Sequence, residues 1–296
     1  MIVIILNELK YAEKCIKENY IDKKPFFTLN ILAKYYYHLG NNEAEIVELL
    51  KEYAKKTCSG YSKNKFTWDT NIAKMVKTAI QYPLYQIEGV WITSKELSTI
   101  RSIHNKVLER LAFTLLCLAK YNIAKNPKSD GWINYESKEI FSLARISSGI
   151  NEREIKFHEL YKLGLIEFAK KIDNLGIRVK YISGDNDDNV LFISDFRELG
   201  YEYLLYRGEN FIHCGECGIL TRRNKAGTKR YCVNCAGHTP QVTKRIQCID
   251  CGDVFEVDAK NTKSTRCVKC QSIINREKKR IWKQNNTKTE KVETAN

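Results

Sequence analysis

Eight of the chain's eleven cysteines fall into four Cys-x-x-Cys pairs between Cys214 and Cys270. In HCGECGILTRRNKAGTKRYCVNC, Cys214 and Cys217 are followed after fourteen residues by Cys232 and Cys235. In QCIDCGDVFEVDAKNTKSTRCVKC, fifteen residues separate Cys248 and Cys251 from Cys267 and Cys270. Two residues between thiolates let one tight knuckle aim both sulfurs at a single ion, and two knuckles complete the tetrahedron that Zn²⁺ takes in structural sites. Four thiolates leave no position for water, so each set is expected to hold a structural zinc. Iron also suits a tetrahedron of sulfurs, and zinc is favoured over it for redox inertness. The twelve residues between Cys235 and Cys248 also suit a site, so the pairing of ligands between the two sets stays open at this point.

Other uses of the thiols fit less well. Disulfides need an oxidising compartment, and the apolar stretch Ile2 to Leu6 is too short, and lacks the basic leader, for a secretory signal. A redox dithiol calls for one isolated pair, not four regularly spaced ones in a Lys/Arg-rich segment. His213 and His238 lie close enough to substitute as ligands, but with four thiolates per set they are expected to be bystanders. Cys15, Cys58 and Cys117 stand singly in apolar helical patterns and read as core residues.

A chain of 296 residues with 43% hydrophobic content can build two or three domains. No run approaches the roughly eighteen apolar residues of a membrane helix, and a cytoplasmic address is expected. The formal charge is +14, unevenly spread. Residues 207 to 283 hold seventeen Lys and Arg against seven Asp and Glu, whereas the first 206 hold thirty against twenty-six. Eight thiolates and two Zn²⁺ would bring the segment to about +6. The excess lies at Arg222, Arg223, Lys225, Lys229 and Arg230, at Lys244 and Arg245, and at Arg276, Lys278, Lys279, Arg280 and Lys283. Such a local excess favours polyanions, because Lys and Arg contacts to phosphate dominate nonspecific nucleic-acid affinity.

The first ninety-two residues read as a helical bundle. TLNILAKYYYHLG has helical apolar spacing and stops at Gly40; NNEAEIVELLKEYAKK puts Ile46, Leu49, Leu50 and Tyr53 on one face. Phe66, Trp68, Ile72, Met75 and Val76 mark a third helix, closed by Pro83. The pair YYYHLGNNEAEIVELLKEY and NIAKMVKTAIQYP, within residues 35–82, resembles the small helical module at the carboxy end of some phage and plasmid primases. That resemblance implies a replication context and brings no primase active site.

A second unit, residues 93–200, opens on Thr93-Ser-Lys-Glu96, a capping box, and continues into the long apolar helix NKVLERLAFTLLCLAKYNIA. Trp132-Ile-Asn, SKEIFSLAR, a helix capped at Asn151-Glu-Arg-Glu154, LIEFAKK, a turn at Asp173-Asn-Leu-Gly176, IRVKYIS and VLFIS follow. Helix, short strand, two helices, then two or three strands is the order of a winged helix-turn-helix, and ELYKLGLIEF resembles the end of its third helix entering the wing. In a DNA-reading member that helix enters the major groove. Here it is neutral, with Glu152, Glu154 and Glu159 against Arg153, Lys156 and Lys162; the wing offers Lys170, Lys171, Arg178 and Lys180. Asp185, Asp187 and Asp188 fail as a calcium loop, because Val190 and Phe196 occupy the positions that need Gly and Glu, and read as a solvated turn.

Ribbon one with its linker occupies 201–245, the aromatic bridge FRELGYEYLLYRGENFI leading into it and packing at that junction. Ribbon two with the basic helix QSIINREKKRIWKQ occupies 246–284, and the polar tail 285–296 is expected to be disordered. The fold class is thus α+β multidomain: helical bundle, winged-helix-like middle, two small zinc ribbons. CIDCGDVF with RCVKCQSIINREKKRIWKQ resembles zinc ribbons of phage and mobile-element proteins of AT-rich Gram-positive bacteria, which implies a nucleic-acid context. The five histidines are scattered, and no phosphate loop or nucleophile elbow occurs, so a non-enzymatic role is expected. Nucleic acid, DNA favoured over RNA, is the expected partner, with Trp282 or Tyr231 available to stack on a base. The alternative partner is a host or phage protein, for which the ribbons would be an adaptor surface. No membrane association is expected.

Overall fold

The computed structural model describes residues 4–169, 176–184, 188–224, 227–237, 243–258, 261 and 264–293, except for the side chains of 243, 258 and 283–293. Lys170, Lys171, Asp173, Asp185, Asp187, Lys225, His238 and the side chain of Lys283, all named above, lie outside the described set. The described residues combine helices with four small sheets, and the chain divides into two compact units, Met1–Arg230 and Tyr231–Asn296.

Four helices open the first unit: α1 (Glu8–Glu18), α2 (Pro25–His38), α3 (Glu43–Thr57) and α4 (Lys65–Ala79). Asn7 caps α1 through the Lys10 amide, and Asn42 with Glu45 forms a capping box on α3. Gly40, at φ 93°, ends α2 where an L side chain would be strained. Leu29, Leu32, Ile46, Leu50, Ile72 and Val76 form their common core. Tyr53 donates its hydroxyl to the carbonyls of Cys15 (2.9 Å) and Tyr20 (2.6 Å), tying α3 to the end of α1. Two expectations change here. The bundle has four helices where three were expected, since α1 buries little beyond Ala12 and Cys15. Phe66 is 86% exposed, because it sits in the first turn of α4, off the face that carries Ile72 and Val76.

A second core in the same unit surrounds α6 (Lys106–Lys125), with β1 (Val90–Thr93), α5 (Ser94–Arg101), β2 (Trp132–Ile133), α7 (Ser137–Leu143), α8 (Ile150–Lys162), β3 (Ile166–Phe168), β4 (Ile177–Val179) and β5 (Asn189–Ile193). The Thr93–Glu96 capping box forms, and Glu96 also takes the Ser183 amide (2.9 Å) and Lys120 (2.8 Å). Strands β2, β4 and β3 make an antiparallel sheet in that order. VLFIS does not extend it: β5 pairs instead with β1, Val90 opposite Ile193. The cap of α8 is Gly149, not Asn151, which lies inside the helix. Helix α9 (Leu199–Tyr206) then packs Tyr203 against Phe113 of α6, rings 5.3 Å apart, and Tyr201 against Phe211, rings 4.8 Å apart. Strands β6 (Phe211–His213) and β7 (Leu220–Arg222) follow.

The second unit contains α10 (Val233–Ala236), the hairpin β8 (Thr243–Gln247) and β9 (Val254–Asp258), and α11 (Val268–Glu293). The tail expected to be disordered from 285 is helical as far as Glu293. No Gly or Pro interrupts the sequence after Val268, and either residue is what would most cheaply stop a helix.

Candidate metal centres and the cationic surface

Both leading knuckles are built the same way, as the turn of a hairpin. Cys214 donates its amide to Ile219 O and accepts from Gly218 N; Cys248 donates to Asp253 O and accepts from Gly252 N, each at 2.9 Å. The flanking pairs are equivalent too, His213 opposite Leu220 and Gln247 opposite Val254. Gly218 (φ 69°) and Gly252 (φ 74°) take the left-handed backbone that reverses the chain after the second cysteine.

The trailing knuckles start helices. Cys232 caps α10, its sulfur accepting the Cys235 amide at 3.4 Å, and Cys267 precedes α11, its carbonyl accepting from Gln271 N at 3.0 Å. In the second ribbon Cys267 N–H points at Cys248 Sγ (3.3 Å), and Cys251 Sγ and Cys267 Sγ are 3.7 Å apart. A tetrahedron with Zn–S near 2.3 Å has edges of about 3.8 Å. The two knuckles are also joined without metal, by Arg266 Nε to Asp250 Oδ2 (2.6 Å) and Ile249 N to Thr265 O (3.0 Å).

The ligand atoms of Cys214, Cys217, Cys232 and Cys235 lie within 4.8 Å of one another, and so do those of Cys248, Cys251, Cys267 and Cys270. The pairing left open by spacing is therefore the consecutive one, and the two sets fit two zinc ions. The first thiol of every pair is buried and the second more open. Donation by the Cys267 backbone amide holds the Cys248 thiol down at about 6. Hydrogen bonding to Cys251 and then Cys267 pushes Cys270 up. Four clustered sulfurs thus resist full deprotonation on their own, and a dication is the charge that lets them share it. His213 belongs to neither cluster of ligand atoms among the described residues, and its Nδ1 lies 3.1 Å from Gly218 O.

Of the expected cationic contacts, Arg222 pairs with Glu209 (3.1 Å) and lies over the Phe211 ring, while Lys229 donates to Thr221 Oγ1 (3.0 Å) and Arg222 O (3.2 Å). These two brace the hairpin. Arg223 and Arg230 are exposed. On β8, Arg245 pairs with Glu256 across the strands (3.2 Å) and Lys244 is half-buried. On α11, Arg276, Lys278, Lys279 and Arg280 are exposed, and Arg280 pairs with Glu277 at 3.7 Å. In the middle region Arg178 is held by Asp130 and Glu167, while Lys180 is exposed.

Arg197 was missed in the sequence. It forms an ion pair with Asp195 and donates Nη1 to Cys217 O at 3.0 Å, steadying the first knuckle from outside the ribbon. Its only signal was the Asp-x-Arg spacing. No protein-family model, curated protein or solved structure matches the chain. No helix among the described residues is long and apolar enough to cross a membrane.

Proposed function

We propose that this chain is a zinc-dependent nucleic-acid-binding protein with duplex DNA as its favoured ligand, acting as a phage or mobile-element regulator or replication accessory factor. The observation that carries this reading is α11, which leaves the second thiolate site with Arg276, Lys278, Lys279 and Arg280 all exposed. A rigid metal-anchored start and an uninterrupted helix suit a cationic element that follows phosphates. The order α6, β2, α7, α8, β3, β4, with sheet order β2-β4-β3, supports a winged-helix reading of the middle region.

Binding of the zinc-loaded chain to random duplex and single-stranded DNA across a salt series tests the proposal. Reversing Arg276, Lys279 and Arg280 to Glu should flatten the slope of log affinity against log salt by about 0.9 for each duplex phosphate that α11 no longer neutralises. An unchanged slope removes α11 from the interface.

A second reading, a protein-interaction adaptor for host polymerase, replisome or defence components, draws on a different observation. Trp91 and Phe192 face solvent as a cross-strand pair on β1 and β5, 50% and 41% exposed, and α8 is electrically neutral. Weak binding to both nucleic acids at low salt, with a stoichiometric protein partner, decides for the adaptor.

A further inference from the structure

The turn that joins α7 to α8 borders an open pocket of about 450 Å³. Lys138, Arg145, Ser147, Ser148, Arg153 and Tyr201 line it. Neither Lys138 nor Arg153 has a carboxylate within ion-pair distance among the described residues; Arg153 instead donates to Ser137 Oγ (3.2 Å) and Gly149 O (3.3 Å). Among the described residues no side chain caps the first turn of α8. Ser148 Oγ is buried and has no hydrogen-bond partner among the described residues. Two cations and the unmet hydroxyl's residue therefore line one pocket, beside the uncapped start of α8.

The far wall is rigid. Arg145 takes a left-handed backbone (φ 55°), its guanidinium makes a two-armed ion pair with Glu198, and its carbonyl accepts from Arg110 Nη1 at 2.9 Å. Its guanidinium also lies 5.5 Å from the centre of the Tyr201 ring. Gly200 lets α9 press against this turn, since a Cβ there would collide with the Ala144 carbonyl. A non-glycine residue held at positive φ is strained and persists where surrounding contacts enforce it.

We propose that this pocket binds a phosphoryl group, held by Ser148 Oγ, Lys138 and Arg153 beside the start of α8, whose first-turn amides report on it. A phosphoryl group brings several acceptor oxygens with negative charge, so it partners the hydroxyl and both cations together. A cation would be repelled, and an apolar ligand would leave the same donors unmet. Arg145, neutralised by Glu198, fixes the wall. The phosphoryl group can belong to a free nucleotide or to a nucleic-acid backbone, and the proposal holds whether or not the ribbons bind DNA.

The test uses the full zinc-loaded chain, titrated separately with inorganic phosphate, AMP and a short DNA duplex, while the amide resonances of Ile150, Asn151 and Glu152 are followed. Phosphate and AMP are expected to shift these amides, and the Lys138→Gln/Arg153→Gln double variant to weaken both roughly tenfold or more. Ser148→Ala should weaken binding without lowering the thermal midpoint, because it removes a hydroxyl that is unpaired in the free protein. Shifts caused by duplex but not by AMP also support the pocket and assign the phosphoryl group to a backbone. The α11 reversals should leave AMP binding unchanged, which separates failure of the ribbon reading from failure of this one. The proposal is overturned if none of the three ligands moves these amides, or if the double variant binds all three as tightly as the parent.

Discussion

Tyr203 donates its hydroxyl to Glu109 Oε2 across 2.7 Å, deep beside α6, and Arg207 meets the same oxygen at 3.2 Å. Glu109 is only 4% exposed, so these two donors stand in for water at its carboxylate. Tyr203→Phe keeps the ring against Phe113 and removes one of them. The loss in unfolding free energy should be about 1–3 kcal/mol. Urea titration checks it: the midpoint falls while the slope stays constant.

Burial lifts the Glu202 carboxyl above its ordinary 4.5, and nearby His213 only partly offsets this. An acid raised in the folded state favours the fold below its unfolded value and loses that advantage as pH rises through the folded one. Glu202→Gln should therefore be stabilising at neutral pH, with the gain fading as pH falls through and below 4.5. Thermal midpoints of parent and variant across that range should converge at the acid end; a constant difference counts against burial as the cause.

Lys34 and Glu8 form an ion pair at 2.9 Å with both side chains 8% exposed, and Glu8 also accepts the Tyr85 amide at 3.0 Å. Lys34→Met strands a buried carboxylate and should cost about 3–5 kcal/mol at neutral pH. Adding Glu8→Gln should recover part of that loss, as read from denaturant midpoints of the single and double variants.

Metal analysis should find two zinc ions per chain, one for each set of four thiols. Cys267→Ser should drop the content to one and spare the first ribbon, since its ligands are Cys214, Cys217, Cys232 and Cys235. Chelation should melt the ribbons and leave the two large apolar cores intact, a split visible as protected and unprotected amides in hydrogen exchange.

Gly200→Ala should be poorly tolerated, because the new methyl meets the Ala144 backbone carbonyl rather than a movable side chain. Overpacking of this kind costs roughly 1–3 kcal/mol or more. The variant should also disturb the amides of the α7–α8 turn before global unfolding.

The thiol sites were legible in the sequence because two-residue knuckles carry their own geometry: Cys248 and Cys251 are set by a six-residue hairpin turn, and no distant part of the chain is needed. Local signals elsewhere worked for the same reason, as at the Thr93–Glu96 capping box and at Gly40. What failed was non-local or marginal. The β1–β5 pairing depends on segments far apart in the chain, and VLFIS reads equally well as a third wing strand. Helix α1 buries only Glu8, Ala12 and Cys15, too thin a stripe to announce itself. The pocket at the α7–α8 turn draws on α7, α8 and α9 at once, so no single motif contains it.

Because Val90 of β1 waits for Ile193 of β5, the middle core cannot close while the chain is still being made up to that point. Helix α6 would emerge with much of its apolar surface uncovered, and late pairing across a long loop is slow and exposed to aggregation. A nascent chain stalled before residue 193 should therefore be the species that chaperones hold longest.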